Sequence, residues 1–199
     1  MGIYKMNGHL HHLFPTLIHR IIEKHPDNGL LIQKATELKS TLPPAGDWRC
    51  STFNTLNRYD MINDPAFSNF LKYVTDQVSQ FAVEFGCAPN SASVTDSWFN
   101  VSEPGDFQEY HIHTGNHFSA VYYVKAHKNS GNIVFRSFEA DTDMFPLPIK
   151  TMNYTSFKTF SFDPEEGALL IFRSNLQHMV EKNMSTDSRI TVAMNFKIL

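Results

Sequence analysis

The stretch QEYHIHTGNHFSAVYYV, residues 108–124, sets three histidines into seven positions and runs straight on into an apolar segment with the look of a buried strand. Residues two apart on a strand point to the same face, so His111 and His113 project together. Two same-facing imidazoles make half of a metal site. In a chain with ten histidines, an isolated His-x-His is more often a hydrogen-bonded or solvent-facing pair, so the surrounding sequence has to decide.

From about residue 92 the hydrophobic period is two. Strands are expected at 93–101, 107–113, 118–125, 132–138, 156–162, 168–173 and 188–198, divided by the turn compositions EPGD, KNSG, DPEEG and STDS. Upstream the period is helical. Asp27 and Asn28 suit the cap of a helix over 29–40 with Leu31, Ala35 and Leu38 on one face, and TLPPAGD ends it. In NDPAFSNFLKYVTDQVSQFAVEFG, residues 63–86, Asp64 suits an N-cap, Pro65 the first helical position and Gly86 a left-handed C-terminal cap. Phe67, Phe70, Leu71, Val74, Val78, Phe81, Ala82 and Phe85 then form one apolar stripe, which needs a broad partner, most simply a sheet.

Helices followed by many short strands predict an α+β domain whose sheet closes into a barrel or a two-layer jelly roll. One domain is expected over 1–199, with 1–91 as mainly helical support and 92–199 as the β core. The insertion FEADTDMFPLPIKTMNYT, residues 138–155, is too long for a hairpin turn and reads as a lid, with Phe145, Pro146 and Pro148 as apolar cover.

Composition narrows the function. Seventeen basic against twenty acidic residues give a net charge of −3 with Lys and Arg scattered, which argues against nucleic-acid binding. No stretch reaches the roughly 18 apolar residues of a membrane span, and the N-terminus lacks a signal-peptide layout, so a soluble cytoplasmic protein is expected. Cys50 and Cys87 fit no metal spacing and read as small core hydrophobes. His9, His11, His12, His19 and His25 lie far from the 108–124 motif and read as surface or structural residues.

The C-terminal segment GALLIFRSNLQHMVEKNMSTDSRITVAMNFKIL, residues 167–199, bears directly on the histidine pair. Its last strand splits by alternation into an apolar face, Ile190, Val192, Met194, Phe196 and Ile198, and a second face, Arg189, Thr191, Ala193, Asn195 and Lys197, suited to a polar cavity. An arginine on a half-exposed strand is ordinarily solvent-facing. Here Thr191 stands beside Arg189, and His178 lies a short turn upstream.

His-x-His, a gap of 64 residues, a third His, ten more residues and Arg-x-Thr resembles the signature of the Fe(II)- and 2-oxoglutarate-dependent oxygenases: His-x-Asp/Glu, a distal His and Arg-x-Ser/Thr. The surrounding text is similar to a branch of small oxygenases from bacteria and their phages. It reads Ser97-Trp98-Phe99-Asn100, Gly105 to His113, Ser119 to Val124, Ser130 to Phe135, and His178 to Asn195, so the likeness covers about residues 92–198.

The resemblance implies a double-stranded β-helix, a cupin-like jelly roll, with N-terminal helices packed against the sheet. It implies Fe(II) as metal and 2-oxoglutarate as co-substrate. His111 and His178 match the two family histidines, and Arg189 with Thr191 matches the pair that holds the distal carboxylate, which a guanidinium fork binds bidentately. The family's carboxylate ligand position is occupied by His113, so three neutral imidazoles would supply the metal. Asn100 and Tyr123 are candidates to hydrogen-bond the oxo acid; each could equally be a packed core residue. Glu109 and His117 are reserve ligands, and Arg136 is a candidate to contact either substrate or simply solvent. The reaction implied is hydroxylation of a small-molecule or peptidyl substrate, with release of succinate and carbon dioxide. A three-histidine metalloenzyme without 2-oxoglutarate and a non-enzymatic jelly-roll binding module are the alternatives.

Overall fold

The computed structural model describes residues 8–9, 11, 13–44, 50–140, 142 and 144–199; His12 and the AGD end of TLPPAGD lie outside the described residues. In chain order the elements are β1 (Ile18–Ile22), α1 (Asn28–Thr41), β2 (Phe53–Asn54), α2 (Ser68–Val83), β3 (Ala92–Ser102), β4 (Gln108–His111), β5 (Phe118–Lys125), β6 (Ile133–Arg136), β7 (Thr159–Phe162), β8 (Ala168–Arg173), β9 (His178–Val180) and β10 (Arg189–Ile198). A single 3₁₀ turn, Pro65–Phe67, precedes α2.

The strands form a six-stranded sheet in the order β1-β8-β5-β10-β3-β2 and a four-stranded sheet in the order β4-β9-β6-β7, with antiparallel pairing throughout. Together they make the jelly-roll core, with both helices against the outer face of the larger sheet. Alternation explains the layering. On β8, Leu169 and Ile171 face the helices while Leu170 and Phe172 face the smaller sheet. On β10, Ile190, Val192, Met194 and Phe196 join the helical layer, which turns Arg189, Thr191 and Ala193 inward to a cavity between the sheets.

Helix α2 supplies most of the outer core. Phe70, Leu71, Val74, Val78, Phe81 and Ala82 are buried at helical spacing, and Phe70 meets Tyr122 of β5 edge-on with ring centroids 5.1 Å apart. Asp64, expected to cap this helix, instead caps the 3₁₀ turn ahead of it, its carboxylate accepting the Ala66 N–H at 2.9 Å, while α2 itself starts after Phe67 with no side-chain cap and exits through Gly86 at φ +80°. Helix α1 buries Leu31, Ala35 and Leu38. Asn28, expected as a cap, instead lies inside the first turn: its Nδ2 donates to the Val124 carbonyl at 2.9 Å and its Oδ1 accepts from the Tyr122 hydroxyl at 3.1 Å. It ties the helix to β5.

Three strands were not expected from the sequence. β1, IHRII, is an edge strand beside β8 with both His19 and Arg20 exposed, so its alternation is masked. β2 is two residues long, and β9 is three. The expected strand over 107–113 shortens to β4, which is bulged between Gln108 and His111. Segment 137–158 between β6 and β7 holds no helix or strand among its described residues. Phe145 is 93% exposed and neither it, Pro146 nor Pro148 lines the cavity, so the expected apolar cover does not lie over it here.

Candidate active site

Three short elements bring three imidazoles together. His111 ends β4, His113 follows it, and His178 opens β9, where it is the antiparallel partner of His111. One ring nitrogen from each lies within 4.8 Å of those of the other two. Ring centroids are 4.3 Å apart for His111 and His178, and 5.2 Å for both other pairs.

The opposite ring nitrogens are occupied. Nδ1 of His111 meets the Glu109 carbonyl at 2.7 Å, Nδ1 of His178 meets the Leu176 carbonyl at 2.9 Å, and Nδ1 of His113 meets Oδ1 of Asn195 at 2.6 Å. All three acceptors are oxygens without a proton to give, so each Nδ1 carries the hydrogen and each lone pair sits on Nε2. Metal-ligating histidines have this outer support. Burial pushes all three rings towards the neutral form: His111 titrates below its ordinary value, His113 at about 4, and His178 well below 6.5, the last also opposed by the charge of its two neighbours. Near neutral pH the cluster presents lone pairs and no positive charge, which suits a cation.

The reserve ligands do not join this cluster. The bulge after Gln108 breaks the alternation that would have aligned Glu109 with His111, leaving Glu109 exposed. The Nδ1 of His117 accepts the Ile198 N–H at 2.9 Å and so fastens the end of β10. Arg136 lies over the Tyr110 ring, 5.8 Å from its centroid, with Gln177 as a hydrogen-bond partner at 3.4 Å.

On the far side of the cavity Arg189 is 4% exposed and makes no ion pair among the described residues. Its Nη1 donates to the Ser130 carbonyl and to the Gly131 carbonyl at 3.1 Å, and its Nη2 donates to Ser102 Oγ at 2.9 Å. These three contacts leave two of the five guanidinium N–H groups, on Nε and Nη2, for a ligand. Its three direct contacts are to dipoles, and burial works against its charge more strongly than the nearby Asp106 carboxylate supports it, so the guanidinium favours a bound anion.

The same cavity is lined by Thr191, Asn100, Tyr123 and Trp98. Among the described residues none of their side-chain polar groups finds a hydrogen-bond partner, and Trp98 Nε1 is fully buried. Burial raises the Tyr123 hydroxyl above its usual titration range, so it stays a neutral donor. A lone-pair cluster at one end, a buried cation at the other and unsatisfied donors between them fit a metal and a short dianion such as 2-oxoglutarate. Sequence reasoning missed what seats the arginine. The signal was present in SGN at 130–132: a Cβ on Gly131, at φ +98°, would fall 2.7 Å from Arg189 Nη1 and 2.1 Å from the Glu181 carbonyl.

Comparison with known proteins decides the family. The family described as "Putative 2OG-Fe(II) oxygenase" matches residues 96–195, which span His111, His113, His178 and Arg189. The chain belongs to this family. It is therefore an oxidoreductase of the 2-oxoglutarate- and iron-dependent oxygenase class, and the family implies iron and 2-oxoglutarate as its cofactors. No curated protein matches in sequence.

Solved structures show the same fold. A prolyl-4-hydroxylase from Pseudomonas putida superposes with a TM-score of 0.62 at 15% identity, covering 92% of this chain and 94% of that one. The viral collagen prolyl hydroxylase of Paramecium Bursaria Chlorella virus-1 gives 0.60 at 13% identity, covering 92% and 96%. HygX from Streptomyces hygroscopicus, crystallised with nickel and 2-oxoglutarate, gives 0.56 at 12% identity, covering 92% and 83%. No helix among the described residues of this oxygenase is long and apolar enough to cross a membrane.

Proposed function

We propose that His111, His113 and His178 together hold Fe(II), that Arg189 and Thr191 anchor the distal carboxylate of 2-oxoglutarate, and that Asn100 and Tyr123 donate hydrogen bonds to the same co-substrate. The reaction is hydroxylation of a small-molecule or peptidyl substrate, with succinate and carbon dioxide as co-products. The observation that carries this reading is the shared orientation of the three rings, each with Nδ1–H tied to an oxygen and a ring nitrogen within 4.8 Å of the other two.

Iron bound there would supply oxygen activation coupled to decarboxylation of the oxo acid. The chain's own residues bind and orient. Three neutral imidazoles leave the site one negative charge short of a two-His-one-carboxylate set, which favours an anionic co-ligand. Arg189 fixes the other end of that anion through its remaining N–H groups, and its three protein contacts keep the guanidinium from turning away. Trp98, Tyr123 and Ile133 wall the cavity between the anchors. Residues 1–199 act as one unit: most of the β core comes from 92–199, α1 and α2 brace it, and β1 and β2 from the N-terminal part extend its larger sheet at either edge.

The test is succinate formation from 2-oxoglutarate in air, with Fe(II) and a reductant, for the parent protein and His178→Ala. Succinate is expected from the parent at a slow uncoupled rate without substrate and not from the variant. Equal succinate from both proteins, or none from the iron-loaded parent, contradicts the assignment.

A further inference from the structure

His111 and His178 each find their Nδ1 acceptor locally, on a backbone carbonyl two residues upstream. His113 does not. Its acceptor is the side chain of Asn195, 82 positions away on β10. We infer that Asn195 is the positioning residue that makes His113 a metal ligand. This rests on the proposed three-histidine metal site.

The amide is held from three sides. Asn195 pairs in register with Ser119 of β5 and Asp96 of β3. Ser119 Oγ donates to Asn195 Oδ1 at 2.9 Å, and Asn195 Nδ2 donates to Asp96 Oδ2 at 3.3 Å. Because Ser119 has one proton to give, Ser174 Oγ must donate to Ser119 across their 2.9 Å contact. A flipped amide would set its carbonyl against the Asp96 carboxylate, so the charge on Asp96 decides which end faces the imidazole. Oδ1 therefore accepts from His113, and the proton stays on Nδ1.

Two further features converge on the same ring. The His113 N–H donates to the Ser174 carbonyl at 2.9 Å, so Ser174 holds both the backbone of the ligand and the far end of the side-chain relay. The β10–β3 register shifts immediately after Asn195, between Asn195 and Phe196, a bulge of the kind that re-aims a side chain. Asn195 itself is 7% exposed and takes no part in lining the cavity, so its contribution passes through His113.

The test uses Co(II) and Fe(II) affinity by anaerobic competition with a chelator, the visible spectrum of the Co(II) protein, and the melting temperature of the metal-free protein. Asn195→Ala is expected to weaken metal binding roughly 10- to 100-fold and to alter the Co(II) spectrum. In a His113→Ala background the same substitution should change affinity less than about twofold, because its only route to the metal is already gone. The exchanged pair Asp96→Asn with Asn195→Asp keeps both an acceptor towards His113 and an opposite partner, and should bind metal within a few-fold of the parent. An equal loss from Asn195→Ala with and without His113, or an exchanged pair as weak as Asn195→Ala, overturns the inference. Unchanged metal affinity in both His111→Ala and His178→Ala would instead overturn the metal site on which it rests.

Discussion

The imidazoles of His111 and His178 are direct partners in an antiparallel pair of short strands, with ring centroids 4.3 Å apart. Two histidines remote in sequence thus meet through backbone pairing, and neither depends on a flexible loop for its place. Replacing His178 by Ala should lower Fe(II) affinity by on the order of 100-fold or more while the circular dichroism spectrum of the fold is retained. His117→Ala, outside the cluster, should bind metal like the parent. Isothermal titration with Fe(II) under nitrogen distinguishes the two.

The same cluster makes the metal-free protein sensitive to acid. An unfolded histidine titrates near 6.5 and folded His113 near 4, with His111 and His178 displaced in the same direction. Between those values the unfolded chain binds more protons, so stability is full above about pH 6.5 and falls as the pH drops through 4. At roughly 1.4 kcal/mol per unit, His113 alone accounts for on the order of 3 kcal/mol. Urea unfolding of metal-free protein at a series of pH values should show this slope, and His113→Ala should flatten it. A parent protein equally stable at pH 7 and pH 4.5 would contradict the burial of neutral imidazoles.

Gly131 lies under the guanidinium of Arg189. A methyl group there meets Glu181 and Arg189 below van der Waals distance, on a backbone with φ +98°. Gly131→Ala should therefore raise the dissociation constant for 2-oxoglutarate at least about tenfold, roughly 1.4 kcal/mol, with Fe(II) affinity close to that of the parent. A loss of iron binding equal to the loss of co-substrate binding would show that the turn supports the whole sheet and not Arg189.

Asn28 joins α1 to β5 through buried bonds to Val124 and Tyr122. Asn28→Ala should cost about 1–3 kcal/mol in chemical unfolding because it takes the side-chain donor from the buried Val124 carbonyl and the acceptor from the Tyr122 hydroxyl, which keeps only the His25 N–H, without changing metal affinity. If Asn28 were an ordinary helix cap, serine at that position would restore the loss; here serine should not, since it is too short to reach both partners.

Much of this was readable in the chain. The alternation of β10 separated a packing face from a cavity face, and β5 and β8 were long enough for their period to stand out. The C-terminal cap at Gly86 and the stripe on α2 gave the second helix. What escaped was set by tertiary contacts. β9 has three residues and no period of its own; it exists because His178 and Val180 pair with β4 and β6. The exposed edge strand β1 carries His19 and Arg20 towards solvent and so looks like a loop. Asn28 read as a cap because its local sequence fits one, while its actual partners lie 94 and 96 positions away. In the site, residue types announced the three histidines and Arg189, but the roles of Ser102, Gly131 and Asn195 depend on which backbone comes within reach after folding.

The most direct test of the central claim is anaerobic titration of metal-stripped protein with Fe(II) and 2-oxoglutarate, following the weak visible charge-transfer band that arises when both occupy one site, with Arg189→Ala alongside. The band is expected to saturate at one equivalent of each for the parent, and the variant to need far more 2-oxoglutarate to reach it. Iron binding without a band, or a band whose 2-oxoglutarate dependence is the same in Arg189→Ala, would contradict the claim.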